Sequence, residues 1–172
     1  MSDKTLKQYG KTRILPKTAQ TVSKADYDDG YYQKGSPASP RFVDNGDGTI
    51  SDKVTGLMWV KDSTGAGCNN GNLISWANAL TFCKNLNFAG HTDWRLPNAM
   101  ELFSIFDFSV NNPAINTAYF TNMQSGNPQY WTGTFVKAYE TEGYKWEACY
   151  GSGRMDEGTG ATCYVRPVRG GV

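Results

Sequence analysis

The sequence predicts an α+β domain in which two helices pack on a small antiparallel sheet that carries long irregular loops. Three observations predict it: short alternating or apolar runs between turns, two segments with helical spacing of apolar residues, and 19 glycines in 172 residues. A chain of this length has room for one domain, or for one domain with an extended arm.

The first strands are expected from residue 41 onward. Residues 41–43 and 49–52 are short strand signals, and residues 44–48 between them (Asp-Asn-Gly-Asp-Gly) form a concentrated turn signal. A second turn at residues 53–56 precedes residues 57–60, an apolar run typical of a buried strand. Two short strands joined by a Gly-rich connection predict a β-hairpin.

Two helices are expected next in the chain. Ser75 is a good N-cap for the first helix, and Gly90 is a suitable stop. Asn98 caps the second helix, and Glu101, three residues on, completes a capping box before an apolar stripe that runs to about Phe108. The apolar faces consist of Trp76, Ala79, Leu80 and Cys83 in the first helix and of Leu102, Ile105 and Phe106 in the second.

Three further strands are expected near the C-terminal end, after an irregular region at residues 111–129. They cover residues 130–136, 144–150 and 161–169, with a Gly-rich turn or loop at residues 151–160. Pro167 lacks a backbone N–H, which places the last strand at an edge or at a bulge.

The charge is unevenly distributed along the chain. The net charge is +1, but residues 1–24 contain six basic side chains and one acidic one. We therefore divide the chain into a basic extended arm at residues 1–24 and a domain at residues 25–172. The arm is either a solvated tail or an anchor that docks on a partner subunit or on an acidic surface.

Composition also excludes several classes of partner. A nearly balanced charge argues against a generic nucleic-acid binder. No run approaches the roughly 18 apolar residues of a membrane span. The first residues lack the apolar core of a signal peptide, so either export by the usual route is absent or the chain starts after a removed signal.

The cysteines and acidic turns do not predict a metal site or a cofactor. The four cysteines are not spaced as C-x-x-C, which argues against zinc. Two disulfides, one disulfide and four reduced thiols all remain open. Residues 44–48 resemble the start of a calcium loop, but Gly46, Gly48 and Thr55 occupy positions that need oxygen ligands. The cysteines are Cys68, Cys83, Cys149 and Cys163.

No catalytic residue is predicted. His91 is the one histidine in the chain, so a Ser-His-Asp triad would have to use it, and it stands in a short connection beside Asp93. Trp94 and Arg95 are expected to be structural, as are Arg166 and Arg169 on the last strand.

The loops are the best candidates for binding. Residues 62–72 contain Asn69, Asn70 and Asn72, and residues 111–129 and 139–157 combine aromatic rings with amides. Tyr, Trp, Asn and Gly together suit adaptable recognition, although some of these aromatic side chains could instead fill the core. The predicted ligand-binding residues are Asn122, Gln124, Asn127, Tyr139, Tyr144, Trp146, Tyr150 and Arg154.

Five motifs, in order, resemble the family named for the C-terminal domain of the Legionella collagen-like protein. They are RFVDNGDGTISDKVTGLMWVKD (residues 41–62), SWANALTFCKNL (75–86), GHTDWRLPNAMEL (90–102), YWTGT (130–134) and YVRPVRGG (164–171). The resemblance runs from roughly residue 13 to residue 171. It implies a C-type lectin-like fold and a binding module on cell surfaces, secreted proteins or virions.

The resemblance therefore leads to two expectations about function. The first is a non-enzymatic lectin-like adhesion or receptor-binding module, extracellular or at the cell surface, with a glycan or protein partner. The second is a structural subunit of a phage virion or an extracellular filament. In that case residues 1–24 and the loops make the contacts of a homo-oligomer or a larger assembly.

Overall fold

A four-stranded antiparallel sheet joins the two ends of the domain. It contains β1 (Phe42–Asp44), β2 (Thr49–Asp52), β3 (Leu57–Val60) and β7 (Val168–Gly170), in the order β1-β2-β3-β7. The computed structural model describes residues 15–36, 39–139, 143–158 and 161–170. The predicted hairpin is confirmed, with Ile50 opposite Trp59 in the β2–β3 register.

A second antiparallel sheet contains β4 (Gln129–Phe135), β5 (Lys145–Cys149) and β6 (Arg154–Gly158). The α+β class is therefore confirmed, but with two small sheets where one was expected. Strand β6 lies in a segment that was predicted to be a turn or loop. It is a partly exposed edge strand, and so its sequence lacks the apolar alternation that reveals a strand.

The predicted terminal strand at residues 161–169 is wrong as a continuous element. Tyr164 forms an isolated bridge to Tyr130 of β4, whereas Val168 pairs with Trp59 of β3. The segment thus passes from one sheet to the other. Pro167, which has no N–H to donate, lies at this crossing.

The two predicted helices are present but shorter than expected: they are α2 (Trp76–Asn85) and α3 (Ala99–Ser104). A short helix that was not predicted, α1 (Asp29–Tyr32), precedes them. The capping box of α3 is confirmed: Asn98 Oδ1 accepts from the Glu101 N–H at 2.8 Å, and Glu101 Oε2 accepts from the Asn98 N–H at 2.8 Å. Helix α2 does not reach Gly90, because Leu86 is extended and ends it.

The largest core cluster lies where α3 and both sheets pack together. It includes Trp59, Leu102, Phe106, Tyr130 and Tyr150, all almost fully buried. A second cluster places α2 against Trp131 of β4, and a third groups Val60, Cys68 and Trp94.

Part of the predicted arm contacts the domain. The backbone carbonyl of Thr18 accepts from the Phe108 N–H at 2.9 Å, and that of Leu15 accepts from the Ser36 N–H at 2.9 Å. Residues 15–36, called the lead-in below, therefore lie against the fold. The rest of the predicted arm, residues 1–14, lies outside the described residues.

Candidate functional site

Two loops that are distant in sequence meet at one surface of the domain. The Thr121 N–H donates to the Lys61 carbonyl at 3.1 Å, and the Ser63 N–H donates to the Thr121 carbonyl at 3.1 Å. These bonds form a short parallel bridge between Asp62 and Thr121. The loop after β3 and the long irregular region before β4 therefore form one structural unit.

The buried side chain of Arg166 supports this junction from below. Its Nη1 donates to the carbonyls of Val60 at 2.7 Å and Lys61 at 3.0 Å, and its Nη2 donates to Ser63 Oγ and contacts Met123 Sδ. No carboxylate among the described residues pairs with it. Five donors in a planar fork allow one residue to hold several acceptors, so Arg166 fixes both loops. The structural role predicted for Arg166 is consistent with these contacts.

The exposed part of the two loops is rich in side-chain amides. Three asparagines here have left-handed backbone conformations, with φ values of 55° at Asn69, 53° at Asn70 and 53° at Asn122. Among non-glycine residues, asparagine tolerates this region best. We call the surface formed by Thr64, Asn69, Asn70, Asn72, Asn122 and Gln124 the amide surface.

Hydrogen bonds between side chains and backbone fix the shape of the amide surface. Asp62 Oδ1 accepts from the Thr64 N–H at 2.8 Å and from Thr64 Oγ1 at 2.9 Å. Asn69 and Asn72 each donate a side-chain N–H to the other's backbone carbonyl, at 3.2 and 3.0 Å. Gln124 Nε2 reaches the Gly71 carbonyl at 3.4 Å, which connects the second loop to the first.

The carboxylate of Asp62 takes part in the same network. Partial burial alone would raise the pKa of Asp62. Hydrogen bonds from the Thr64 backbone and from the Asn122 and Thr64 side chains outweigh that effect and hold the pKa below its usual value. Asp62 thus stays ionised at neutral pH and orients Asn122.

The predicted ligand-binding residues do not form one group. Asn122 and Gln124 lie on the amide surface. Asn127 accepts from the Ser152 N–H at 3.0 Å in the β5–β6 turn, and Arg154 follows that turn and pairs with Asp156 at 2.7 Å.

The aromatic members of the predicted set are placed elsewhere. The prediction for Tyr150 is wrong: Tyr150 is 0% exposed, and its ring packs at a tilt against Phe106 and edge-on against Tyr130, so it belongs to the core and not to the surface. Tyr144 and Trp146 are half-buried at the other end of β5. The side chain of Tyr139 lies outside the described part of the chain.

Sequence reasoning missed Asp62 and Thr64. An Asp followed two residues later by Thr is a typical local turn in which the carboxylate accepts from the Thr backbone and hydroxyl. That signal was present in the sequence. The long-range pairing of this turn with Thr121 and Asn122 had no local signal.

The four cysteines are buried free thiols. Burial raises the pKa of Cys68 and of Cys83 to about 12 and also raises those of Cys149 and Cys163. Within the described ranges, no cluster of three or more His, Cys, Asp or Glu side chains could hold a metal ion.

The strand register separates two of these thiols. On one side of β4, Gln129 pairs with Cys149 of β5. On the other side of β4, the parallel bridge between Tyr130 and Tyr164 puts Cys163 beside Gln129. Two strand spacings amount to about 9.6 Å, beyond the roughly 7 Å limit between the Cα atoms of a disulfide. Cys149 and Cys163 therefore cannot be bridged without backbone movement.

Glu147 is the buried acid nearest to these thiols. Its side chain is 1% exposed, and Oε1 has no hydrogen-bond partner among the residues that the structure describes. Burial is the largest effect and raises the pKa of Glu147; a hydrogen bond with the Cys163 thiol opposes it, the Asp156 carboxylate adds to it, and Lys145 lowers the pKa slightly.

We expect Glu147→Gln to raise the free energy of unfolding at neutral pH. The pKa of Glu147 is raised in the folded state. Its contribution to the free energy of unfolding is therefore fully present below the ordinary pKa of 4.5 and is lost as the pH rises through the folded-state pKa. Urea denaturation across this pH range should show that the variant's gain in the free energy of unfolding shrinks toward low pH. Glu157→Gln, on the exposed edge strand, is the matched control, and a gain that does not change with pH would contradict the prediction.

Comparison with known proteins gives one family match. A sequence model of the Lcl C-terminal domain matches residues 48–169, which is more than half of the chain. The match includes both loops of the amide surface and Arg166. Among curated proteins, none matches the chain. No helix in the described part of the chain is long and apolar enough to cross a membrane.

Proposed function

This chain belongs to the Lcl C-terminal domain family, and on that premise we propose that it is a lectin-like adhesion or receptor-binding module. The family is secreted or surface-associated and linked to adhesion. The module would act without catalysis, outside the cell or at its surface, and recognise a glycan or a protein through the amide surface.

The observation that carries the proposal is the preorganised amide surface. Side-chain amides can both donate and accept hydrogen bonds, which matches the hydroxyl and amide groups of sugars and of peptide backbones. Two loops held by Arg166 and by the Asp62 network lose little conformational entropy when a ligand binds. Such a surface can select a ligand without a metal or a cofactor.

The burial and protonation of the cysteine thiols, and the ion pair of Asp93, support a non-enzymatic function. The thiols of Cys68 and Cys83 are 1% and 0% exposed, and the raised pKa values keep them protonated at neutral pH. A protonated, buried thiol is a poor nucleophile. The acidic residue near His91 is also engaged: the Asp93 carboxylate pairs with Arg169, with 2.7 Å between Arg169 Nε and Asp93 Oδ1.

We expect the double variant Asn70→Gly with Asn122→Gly to weaken ligand binding by about thirtyfold, because two hydrogen bonds are lost and each contributes on the order of 1 kcal/mol. Glycine keeps the left-handed backbone and removes only the amide. Capture on glycan arrays and on intact cells would measure the effect.

Asn112→Gly is the matched control, because Asn112 is an exposed asparagine with φ 48° outside the amide surface. It should bind like the unaltered protein. Binding that survives in the double variant, or that is lost equally in the control, would contradict the role of the amide surface.

A structural subunit of a virion or extracellular filament is the second candidate, favoured by one observation. The lead-in carries five exposed large apolar side chains, with exposures from 50% to 81%, of a kind that assembly contacts bury. They are Leu15, Val22, Tyr27, Tyr31 and Tyr32. Light scattering separates the candidates: a stable monomer that captures a ligand supports the first, and self-assembly lost on deleting residues 1–30 supports the second.

A further inference from the structure

The side-chain amides of the amide surface are oriented by the protein's own hydrogen bonds. Asn69 and Asn72 donate to each other's backbone carbonyls at 3.2 and 3.0 Å, and Gln124 Nε2 reaches the Gly71 carbonyl at 3.4 Å. A carbonyl accepts only from the NH₂ end of an amide, so these partners decide which end of each side chain faces the protein. Each of the three side chains therefore keeps an oxygen to which no described residue donates.

Asn122 and Thr64 are committed in the same way to the carboxylate of Asp62. The Asn122 side chain hydrogen-bonds to Asp62, and Thr64 Oγ1 donates to Asp62 Oδ1 at 2.9 Å. Because an ionised carboxylate can only accept, both side chains act as donors here, and Asn122 Oδ1 and the lone pairs of Thr64 Oγ1 are left over. Asn70 is exposed, and among the described residues its side chain has no hydrogen-bond partner.

The two loops present no cationic group to a ligand. Residues 62–74 and 111–134 contain no lysine or arginine, and Asp62 is their one acidic residue. Arg166 balances that charge from below, but it is 0% exposed, and its Nη atoms already donate inside the junction. Lys61, just before the first loop, pairs with the carboxylate at the end of β1. The surface therefore has no net charge and no charged donor that a ligand can reach.

Hydrogen-bond acceptors outnumber donors on this surface. Each oriented amide keeps one N–H but both lone pairs of its oxygen, and Asp62 and Thr64 add further lone pairs. Sulfate, phosphate and carboxylate ions only accept, so here they would lose bound water without gaining partners for most of their oxygens. A peptide backbone has one N–H per residue, whereas every hydroxyl group of a sugar can donate. The ligand that fits best is uncharged and rich in hydroxyl groups.

We propose that the amide surface selects an uncharged glycan, whose hydroxyl groups donate to the side-chain oxygens, and discriminates against sulfated, phosphorylated and carboxylated forms. This inference rests on the proposed adhesive function, since it names the ligand class of the same surface. The selection comes from the direction of the hydrogen bonds and not from net charge. It should therefore persist when salt screens electrostatic interactions.

A glycan array probed with the full chain tests the ligand class. Each uncharged glycan stands beside its anionic forms, for example N-acetyllactosamine beside sialylated and sulfated N-acetyllactosamine. In every set that binds, we expect the uncharged member to bind at least about tenfold more tightly than its anionic forms. The preference should be the same in low salt and in about 0.5 M sodium chloride. Equal or tighter binding of the anionic forms, or a preference that disappears at high salt, would overturn the proposal.

Intact cells separate a failure of this inference from a failure of the proposed function. Cells treated with glycosidases that remove surface glycans should no longer capture the protein, whereas untreated cells should. Capture that survives the treatment would indicate a protein ligand, which overturns the choice of a glycan and leaves the adhesive function standing. No capture on untreated cells together with no binding on the array would overturn both.

Two substitutions at Asn70 separate its acceptor from its donors. Asn70→Asp keeps the oxygen and removes the N–H groups, and aspartate tolerates the φ of 53° at this position. It should bind the uncharged glycan within about twofold of the unaltered protein, whereas Asn70→Gly should bind about fivefold less tightly. Asn112→Asp, outside the amide surface, is the matched control and should change nothing. Equal losses in the two Asn70 variants would show that Asn70 acts as a donor, contrary to the proposal.

Discussion

Replacing Arg166 with methionine is expected to lower the free energy of unfolding by about 3 kcal/mol and to release the amide surface. The change removes the Arg166 donors from the carbonyls of Val60 and Lys61 and from the hydroxyl of Ser63. The Lys61 carbonyl keeps the Thr121 N–H, and Ser63 Oγ keeps the Tyr130 hydroxyl. Burying a charge without a carboxylate partner has its own cost, so removing the charge offsets part of the loss.

Arg169→Met is the matched control, since it removes an arginine from the same C-terminal segment. Arg169 pairs with Asp93, and the two side chains are 23% and 58% exposed. A pair of this kind contributes about 0–1 kcal/mol. Arg166→Lys keeps the charge and loses the planar fork, so it should resemble methionine more than arginine. Urea denaturation followed by tryptophan fluorescence measures all three; an Arg166→Met variant as stable as the control would refute the assigned role.

Replacing Trp131 with alanine is expected to lower the free energy of unfolding by about 3–5 kcal/mol. Trp131 is 1% exposed, and its ring packs in the cluster that contains Ala79, Leu96 and Val165. Its Nε1 donates to the Ile74 carbonyl at 2.7 Å, which ties β4 to the segment before α2. Alanine leaves a cavity and removes one of the two donors to the Ile74 carbonyl, which keeps its hydrogen bond from the Cys163 N–H at 3.1 Å.

Two variants separate these contributions. Trp131→Phe keeps most of the packing and loses the hydrogen bond, so its loss should be clearly smaller than that of alanine. Trp146→Ala removes a half-buried tryptophan from the neighbouring strand and controls for the loss of a large ring from the same sheet. Thermal and urea unfolding would measure the three, and a Trp146→Ala loss as large as that of Trp131→Ala would contradict the argument.

Much of the candidate site could not be predicted from single residues. The loop asparagines and Gln124 were found by composition, because exposed amides in Gly-rich segments favour recognition. Tyr150 was assigned to the surface because alternation along a strand does not say which face is covered. Helix α3 and the second sheet bury it, and only their packing shows this.

The sequence by itself determined the elements whose signals are local. The β2–β3 hairpin follows from its turns, and the start of α3 follows from the Asn98–Glu101 capping box, because those interactions join residues only a few positions apart. Only the tertiary structure decided the edge strand β6, the crossing of the C-terminal segment between sheets, and the amide surface. That surface depends on Arg166, which is 106 positions from Val60, whose carbonyl it binds. No local pattern encodes such a contact, because it forms only when both sheets have packed.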